Sequence, residues 1–172
     1  MANNHQLDII WPIAELLRGD YKRSDYGKVI LPFTVLRRLD CILAPTKQAV
    51  LTAVPEAVSK GEKVTDYLLN NKAKQAFHNR SPYDFQRLLA EPNQIAANLM
   101  HYLNGFSANI REIFEYFSFA DQVTRLDKAD LLFKVVQEFS KVDLHPKDEH
   151  HPNGIDNHGM GTIFEELIRR FS

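Results

Sequence analysis

Apolar side chains recur at helical spacing through most of this sequence, and that periodicity limits the fold more than any other feature. The clearest stripe, near the end of the chain, consists of Met160, Ile163, Phe164, Leu167, Ile168 and Phe171. Strand signals are almost missing, since no alternating run of useful length occurs and no Asn-Gly pair joins two such runs. The sequence therefore predicts an all-α protein, an irregular multi-helix bundle.

The predicted helices are separated by residues that begin or end helices. The first is expected from Ile10 to Leu17, and a nearly all-apolar helix from Tyr26 to Leu43 is expected in the middle of the core. Pro32 should kink this second helix or mark a restart, because its ring removes a backbone donor. Further helices are predicted at 45–60, around 84–90, at 92–103, after Ser107, after Asp127 and from Met160 onwards, with loops from Asn70 to Pro82.

Length and composition narrow the class of protein. A chain of 172 residues with 44% hydrophobic and 25% charged residues suits one domain, or one domain plus an appendage. The net charge of −1 argues against a free-standing nucleic-acid binder, which usually has a basic excess. There is no apolar run of membrane-spanning length and no secretory leader, and Cys41 is the single cysteine. We therefore expect a reduced, cytoplasmic setting.

Basic residues crowd into the first forty positions, and they supply the candidate contacts for DNA or for a partner protein. The candidates are Tyr21, Lys22, Arg23, Lys28, Arg37 and Arg38. The turn from Tyr21 to Ser24 should be the more exposed part, with a solvated surface as the alternative. For Arg37 and Arg38 the alternative is that they extend from a mostly buried helix and pair with Asp40 or Asp20.

The segment from Asp143 to Asn157 holds a cluster of histidine and acidic residues. Its members are Asp143, His145, Asp148, Glu149, His150, His151, Asp156 and His158, the last just after the segment. Imidazole and carboxylate groups bind zinc, but structural zinc sites need fixed spacing and usually cysteine, which a proline-broken loop does not provide. We expect a solvated hinge and no metal site. Cys41, in an apolar helix, is not expected to be a nucleophile, and no catalytic residue is predicted.

Several stretches carry a family resemblance. They are Asp25-Tyr26-Gly27 with Leu31 to Asp40, Ser81 to Ala90, Ile95 to Leu99, Tyr102 to Ser107, Leu126 to Leu132 and Asp156 to Phe171. Together they cover nearly the whole chain. They resemble the N-terminal helical domain of type I restriction-modification methyltransferase (M) subunits.

The resemblance implies a bacterial protein that methylates DNA. The complete subunit transfers a methyl group from S-adenosylmethionine to adenine N6, and two such subunits assemble with one specificity subunit, which a restriction subunit can join. The helical domain precedes a Rossmann-like catalytic domain. On this basis we expect a helical domain at 1–142, a polar hinge at 143–157, and an amphipathic helix at 158–172 leading to a catalytic domain beyond Ser172.

The motifs of the catalytic part are missing from this chain. It has no Asn-Pro-Pro-aromatic motif, and its Gly159-Met160-Gly161 begins a predicted helix without a preceding strand. We therefore expect no catalysis and no S-adenosylmethionine site within these residues. The resemblance implies a domain for subunit assembly and DNA clamping. The alternative is a pure protein-interaction domain that does not touch DNA.

Overall fold

The computed structural model describes residues 2–171, and the side chains of residues 5–171. Within these residues the regular structure is helical and no strand forms, which confirms the predicted all-α class. The helices are α1 (Ala2–Ile10), α2 (Ile13–Leu16), α3 (Gly27–Leu43), α4 (Lys47–Ser59), α5 (Glu62–Ala73), α6 (Phe85–Ala90), α7 (Ile95–Asn104), α8 (Ala108–Tyr116), α9 (Phe119–Lys128), α10 (Leu132–Ser140) and α11 (Asn157–Phe171). None of the helices in the described part of the chain has the length and apolar character needed to cross a membrane.

The chain divides into two compact units. The first combines Met1–Ile42 with Phe119–Ser172, and the second is Leu43–Ser118. Residues 143–157, for which a polar hinge was predicted, belong to the first unit, and Leu144 and Ile155 among them are buried. The predicted division into domains at residues 142 and 157 stays a prediction.

Helix α3 forms the centre of the first unit, as its apolar sequence predicted. Val29, Ile30, Phe33 and Leu36 are fully buried along it. The Phe33 ring packs edge-on against Phe119 at 4.9 Å between centroids, and a second ring, Phe139, stacks on it at 5.3 Å. The helix continues through Pro32 without a restart. Burial of each of these large side chains stabilises the unit by about 1.5–3 kcal/mol.

The beginning of the chain differs from the prediction of one helix from Ile10 to Leu17. Helix α1 already ends at Ile10, and the short α2 begins after Pro12. Proline lacks the N–H that an uninterrupted helix needs, so the chain turns between the two. Ile10, Ile13 and Leu17 are nevertheless all buried, as the apolar spacing required.

In the second unit, α4 continues through Pro55 and ends before Gly61, whose φ of +96° suits glycine. Helix α5 was not predicted, and the expected loop at residues 70–82 begins only after it. It ends at Lys74, which adopts a left-handed conformation with a φ of 59°. The asparagines that suggested a loop lie in its last turn, where Asn is tolerated. Asp84 caps α6 by accepting a hydrogen bond from Arg87 N at 2.8 Å.

Two predicted helix starts need correction. Asp127 was expected to begin a helix, but it lies within α9, and α10 begins only at Leu132 after Asp130, whose φ is 58°. Ser107 does precede α8, yet its hydroxyl donates to Asn109 Oδ1 and accepts from His78 N, so it makes no cap bond to the helix. Tertiary partners outcompete the local cap at this position.

Candidate functional site

A polar cleft lies in the first unit, where α1, α2 and the 3-10 turn Arg23–Asp25 meet the end of α11. One part, of about 740 Å³, is lined by Leu7, Asp8, Trp11, Arg23, Glu166, Arg169 and Arg170. A second part, of about 440 Å³, is lined by Trp11, Ala14, Glu15, Arg18, Arg23, Tyr26, Arg170 and Phe171. Trp11, Arg23 and Arg170 line both parts, and we call the whole the arginine cleft.

Aromatic packing positions the walls of the arginine cleft. Phe171, at the end of α11, meets the Trp11 ring edge-on at 5.7 Å and the Tyr26 ring at 6.3 Å. The Arg170 guanidinium lies over the Trp11 ring, 5.0 Å from its centroid, which is within cation–π range. These contacts bring residues from the two ends of the chain to one surface.

The charges of the cleft are unevenly paired. Arg169 contacts Glu166 at 2.7 Å and Arg18 contacts Glu15 at 3.6 Å, both as exposed pairs within one helical turn. Among residues 5–171, no ion pair engages Arg23 or Arg170. Exposed pairs contribute little, about 0–1 kcal/mol, so Arg169 and Arg18 exchange partners at low cost. The cleft is therefore suited to an anionic ligand.

The structure separates the predicted contact residues into exposed and internal ones. Lys22, Arg23 and Lys28 are exposed, and Lys28 pairs with Asp25 at 3.1 Å. Tyr21, in contrast, is buried and donates its hydroxyl proton to Gln122 Oε1 at 3.0 Å. Burial raises its pKa above the ordinary value, although nearby cationic charge opposes this. Tyr21 therefore packs α9 against the turn and offers no contact surface.

Arg37 and Arg38 make their hydrogen bonds within the unit, and their role as contacts for DNA or a partner stays a prediction. Arg37 pairs with Asp40 at 2.9 Å, as the alternative predicted, and donates to the carbonyl oxygens of Ser140 and Val142. Arg38 is only 7% exposed. Its Nη1 donates to the carbonyl oxygens of two loop residues, Leu144 at 2.9 Å and Ile155 at 2.8 Å. Burial lowers its pKa below the usual value.

Sequence reasoning missed Trp11, Arg169 and Arg170 as site residues. The basic residues of α11 lie on the polar face of a clean amphipathic helix, which normally means solvated surface. One signal was available in the composition, because Trp11 is the single tryptophan and lies beside Pro12 at a break between helices. Their approach depends on the packing of α11 against the beginning of the chain.

The histidine-rich segment is also more organised than a solvated hinge. Nδ1 of His145 is 2.5 Å from Asp143 Oδ1, and the His145 ring stacks on His151 at 4.2 Å. Burial acts to raise the pKa of Asp143, but hydrogen bonds from His145 lower it below the ordinary value. Cys41 of α3 lies close to both, with one potential ligand atom from each of the three residues within 4.8 Å of the others. Sequence reasoning kept Cys41 apart from this segment.

Comparison with known proteins identifies the domain type. Residues 8–139 match the family model described as the HsdM N-terminal domain. The chain belongs to this family. HsdM N-terminal domains are the N-terminal part of the methyltransferase M subunit of type I restriction-modification systems, so the predicted resemblance is confirmed. No curated protein and no solved structure matches the chain.

The family match has a defined extent on the structure. It includes the turn with Lys22 and Arg23, and all of α3. It ends within α10, so that Arg169, Arg170 and the histidine-rich segment lie beyond it. The family match makes the chain a component of a type I restriction-modification system, whose subunits form a complex. One wall of the arginine cleft, which includes Arg169 and Arg170, lies outside the matched residues.

Proposed function

We propose that this HsdM N-terminal domain acts without catalysis in subunit assembly and in clamping DNA, within a type I methyltransferase that modifies adenine N6. The observation that carries the clamping role is the arginine cleft, where Arg23 and Arg170 face solvent beside Trp11 without an acidic partner among residues 5–171. Phosphate groups are the anions that DNA presents along its whole length, and arginine binds them with two parallel hydrogen bonds.

The proposed contact is limited in strength and carries no sequence readout. The net charge of the chain is −1, so the few arginines of the cleft would have to attract DNA without help from a general excess of positive charge. Acidic side chains of Asp8, Glu15 and Glu166 also line the cleft. The isolated domain should therefore bind DNA weakly and with strong salt dependence. Recognition of the target sequence is assigned to the specificity subunit of the complex.

Catalysis and cofactor binding are assigned to the rest of the methyltransferase subunit. The Gly159-Met160-Gly161 sequence lies in the first turns of α11 and follows a loop, whereas a dinucleotide-type glycine motif follows a strand. We expect no S-adenosylmethionine binding by residues 1–172, and the cofactor belongs to the parent protein. Calorimetric titration of the isolated chain tests this, and micromolar binding would contradict it.

The proposed partners are a second M subunit, the specificity subunit and the restriction subunit, in a cytoplasmic complex on DNA. The alternative function is pure protein interaction, in which partner chains alone touch the DNA. Ile168 at 52% exposure gives α11 an accessible apolar residue near the cleft. Tyr116 at 85% exposure provides another on α8. Exposed apolar groups of this kind suit contact with another protein surface.

Charge reversal in the assembled complex distinguishes the two functions. The test variant carries Arg23→Glu and Arg170→Glu, and the control carries Lys63→Glu and Lys72→Glu, which change the net charge equally at exposed positions of α5. DNA affinity is measured by fluorescence anisotropy over a range of salt concentrations. Each lost phosphate contact lowers the magnitude of the log–log salt slope by about 0.9, so the test variant should lose roughly 1.8.

Three outcomes of this experiment distinguish the functions. Weaker DNA binding and a lower salt slope, with unchanged assembly by size-exclusion chromatography and light scattering, support clamping. Lost assembly together with unchanged DNA affinity of the remaining complexes supports the pure interaction function. If neither property differs from the control, the arginine cleft has no role in either function.

A further inference from the structure

The first unit holds a second polar site, separate from the arginine cleft. Cys41 lies near the end of α3 and is 2% exposed as a free thiol. Asp143 and His145 lie in the segment that follows α10. One potential ligand atom from each of these residues lies within 4.8 Å of the other two. Zn²⁺ binds oxygen, nitrogen and sulfur ligands at about 2.0–2.3 Å, so small side-chain movements would place these three atoms around one ion.

An independent observation points into the same place. A cavity of about 220 Å³ is lined by Gln6, Asp143, His145, His151, Pro152, Asn153, Gly154 and Ile155. Gln6, on α1, is 8% exposed, and its Oε1 atom is buried with no hydrogen-bond partner among the described residues. A buried acceptor without a donor costs about 1–3 kcal/mol. A polar ligand in this cavity would supply the donor.

We propose that Cys41, Asp143 and His145 bind one Zn²⁺ ion, with a water molecule in the fourth position donating a hydrogen bond to Gln6 Oε1. Thiolate, imidazole and carboxylate together are a ligand set that zinc accepts in tetrahedral sites. Thiolate and carboxylate balance the two charges of the ion, so the occupied site is neutral. Binding replaces the thiol proton of Cys41 by the ion and releases that proton to solvent.

Surrounding contacts fix the groups that would bind the ion. The His145 ring stacks on His151, whose own Nδ1 lies 3.2 Å from Asp148 Oδ1. The ion would replace the direct hydrogen bond between His145 Nδ1 and Asp143 Oδ1, which are 2.5 Å apart in this structure. Leu144, which lies between the two loop ligands, is held by Arg38, whose Nη1 donates to its carbonyl oxygen at 2.9 Å. Hydrogen bonds of this type orient ligands and raise metal affinity. The segment therefore has the rigidity that the sequence alone did not suggest.

The ion would join α3 to the segment that leads into α11. Arg38 already holds this segment through the carbonyl oxygens of Leu144 and Ile155. Helix α11 begins directly afterwards, where Asp156 Oδ1 accepts a hydrogen bond from Gly159 N at 2.7 Å. Zinc would thus stabilise the first unit at the segment before α11, and it should raise the melting temperature of the chain.

The test uses the purified 172-residue chain, stripped of metal with a chelator and then dialysed. Titration with Zn²⁺ is followed by calorimetry, and titration with Co²⁺ by absorption, because a cobalt–thiolate bond gives a charge-transfer band in the near ultraviolet. The variants are Cys41→Ser and His145→Ala, and the control is His150→Ala at an exposed position of the same segment. Circular dichroism checks that each variant is folded.

We expect one Zn²⁺ per chain, a cobalt–thiolate band, and a higher melting temperature with zinc. Cys41→Ser should abolish the band, and both site variants should bind zinc roughly tenfold or more weakly. His150→Ala should match the wild type. No zinc binding at equimolar micromolar concentrations overturns the proposal. So does binding that persists unchanged in both site variants, since the exposed histidines would then hold the ion adventitiously. His145→Ala, at a partly exposed position, keeps the test decisive if Cys41→Ser fails to fold.

Discussion

The substitution Arg38→Met tests whether a buried cation holds the segment from Leu144 to Ile155 in place. Methionine keeps most of the aliphatic length of arginine but has no donor. It would leave the carbonyl oxygens of Leu144 and Ile155 without their guanidinium partner, and it would remove the longer contact of 3.5 Å to Asn157 Oδ1. The loss concerns the interior of the first unit and no surface.

The magnitude follows from the two short hydrogen bonds. Bonds to a charged group contribute about 1.5–3 kcal/mol each, and a buried carbonyl oxygen that loses its donor adds a desolvation cost. Removal of the cation also relieves the cost of its own burial, which lowers the total. We therefore expect Arg38→Met to reduce the free energy of unfolding by roughly 3 kcal/mol. Arg38→Lys should cost less, because an ammonium group still reaches one acceptor.

Urea unfolding followed by tryptophan fluorescence provides the measurement. Trp11 is the single tryptophan and lies in the first unit, so its emission reports on that unit without contribution from the second. The control is Arg18→Met, whose side chain is 80% exposed and whose substitution should change stability by less than about 0.5 kcal/mol. If Arg38→Met also falls within about 0.5 kcal/mol of the wild type, the argument that Arg38 anchors this segment is refuted.

Three further predictions concern individual positions. Burial lowers the pKa of His78 from 6.5 to about 4, and the positive charge of Arg80 adds to this effect. The folded state therefore binds a proton at His78 only at a lower pH than the unfolded state does. Stability that is complete above pH 6.5 should decline by up to about 3 kcal/mol on acidification to pH 4, and His78→Gln should remove this part of the decline in urea unfolding followed by circular dichroism. Gly161→Ala should stabilise the first unit by about 0.5–1 kcal/mol in the Trp11 fluorescence assay, because a methyl group there meets no atom within 4 Å and alanine favours the helix; a loss of stability would contradict this. Gly105→Ala should destabilise the second unit by about 1–3 kcal/mol, because the alanine Cβ would lie 2.7 Å from Asn79 Oδ1 and 2.9 Å from Ser81 N. Thermal unfolding provides the measurement, and an unchanged melting temperature would contradict the predicted clash.

Local sequence determined most of the helices and their buried faces. The stripe from Met160 to Phe171 has the helical period, and the apolar run of α3 suits a buried helix. Both helices form where expected, and tertiary packing buries their apolar residues. Helix α9 was missed, although it has a strongly amphipathic pattern with Phe119, Val123 and Leu126 buried. Its short length and the aromatic run before it obscured the period. Helix α5 was also missed, because Asn70 and Asn71 in its last turn have low helix propensity and indicate a loop.

Tertiary structure decided which charged residues face outwards. A helix of uniform apolar character gives no indication of whether an arginine at its edge meets solvent or a backbone carbonyl from a distant segment. Arg38, on the nearly all-apolar α3, lies inside the first unit, whereas Arg170, on the polar face of the amphipathic α11, lines the arginine cleft. The cause is long-range packing, since the partners of Arg38 are loop residues far away along the chain.

The sequence by itself thus determined the all-α class, the family and the central place of α3, because helical periodicity and family motifs are local properties of the chain. Only the tertiary structure placed Cys41 beside His145, and Trp11 beside Arg170. Both pairs join residues distant in sequence, and their approach depends on how α11 and the segment before it pack against α1 and α3. No local pattern encodes that packing, because it arises from the joint burial of apolar side chains from both ends of the chain.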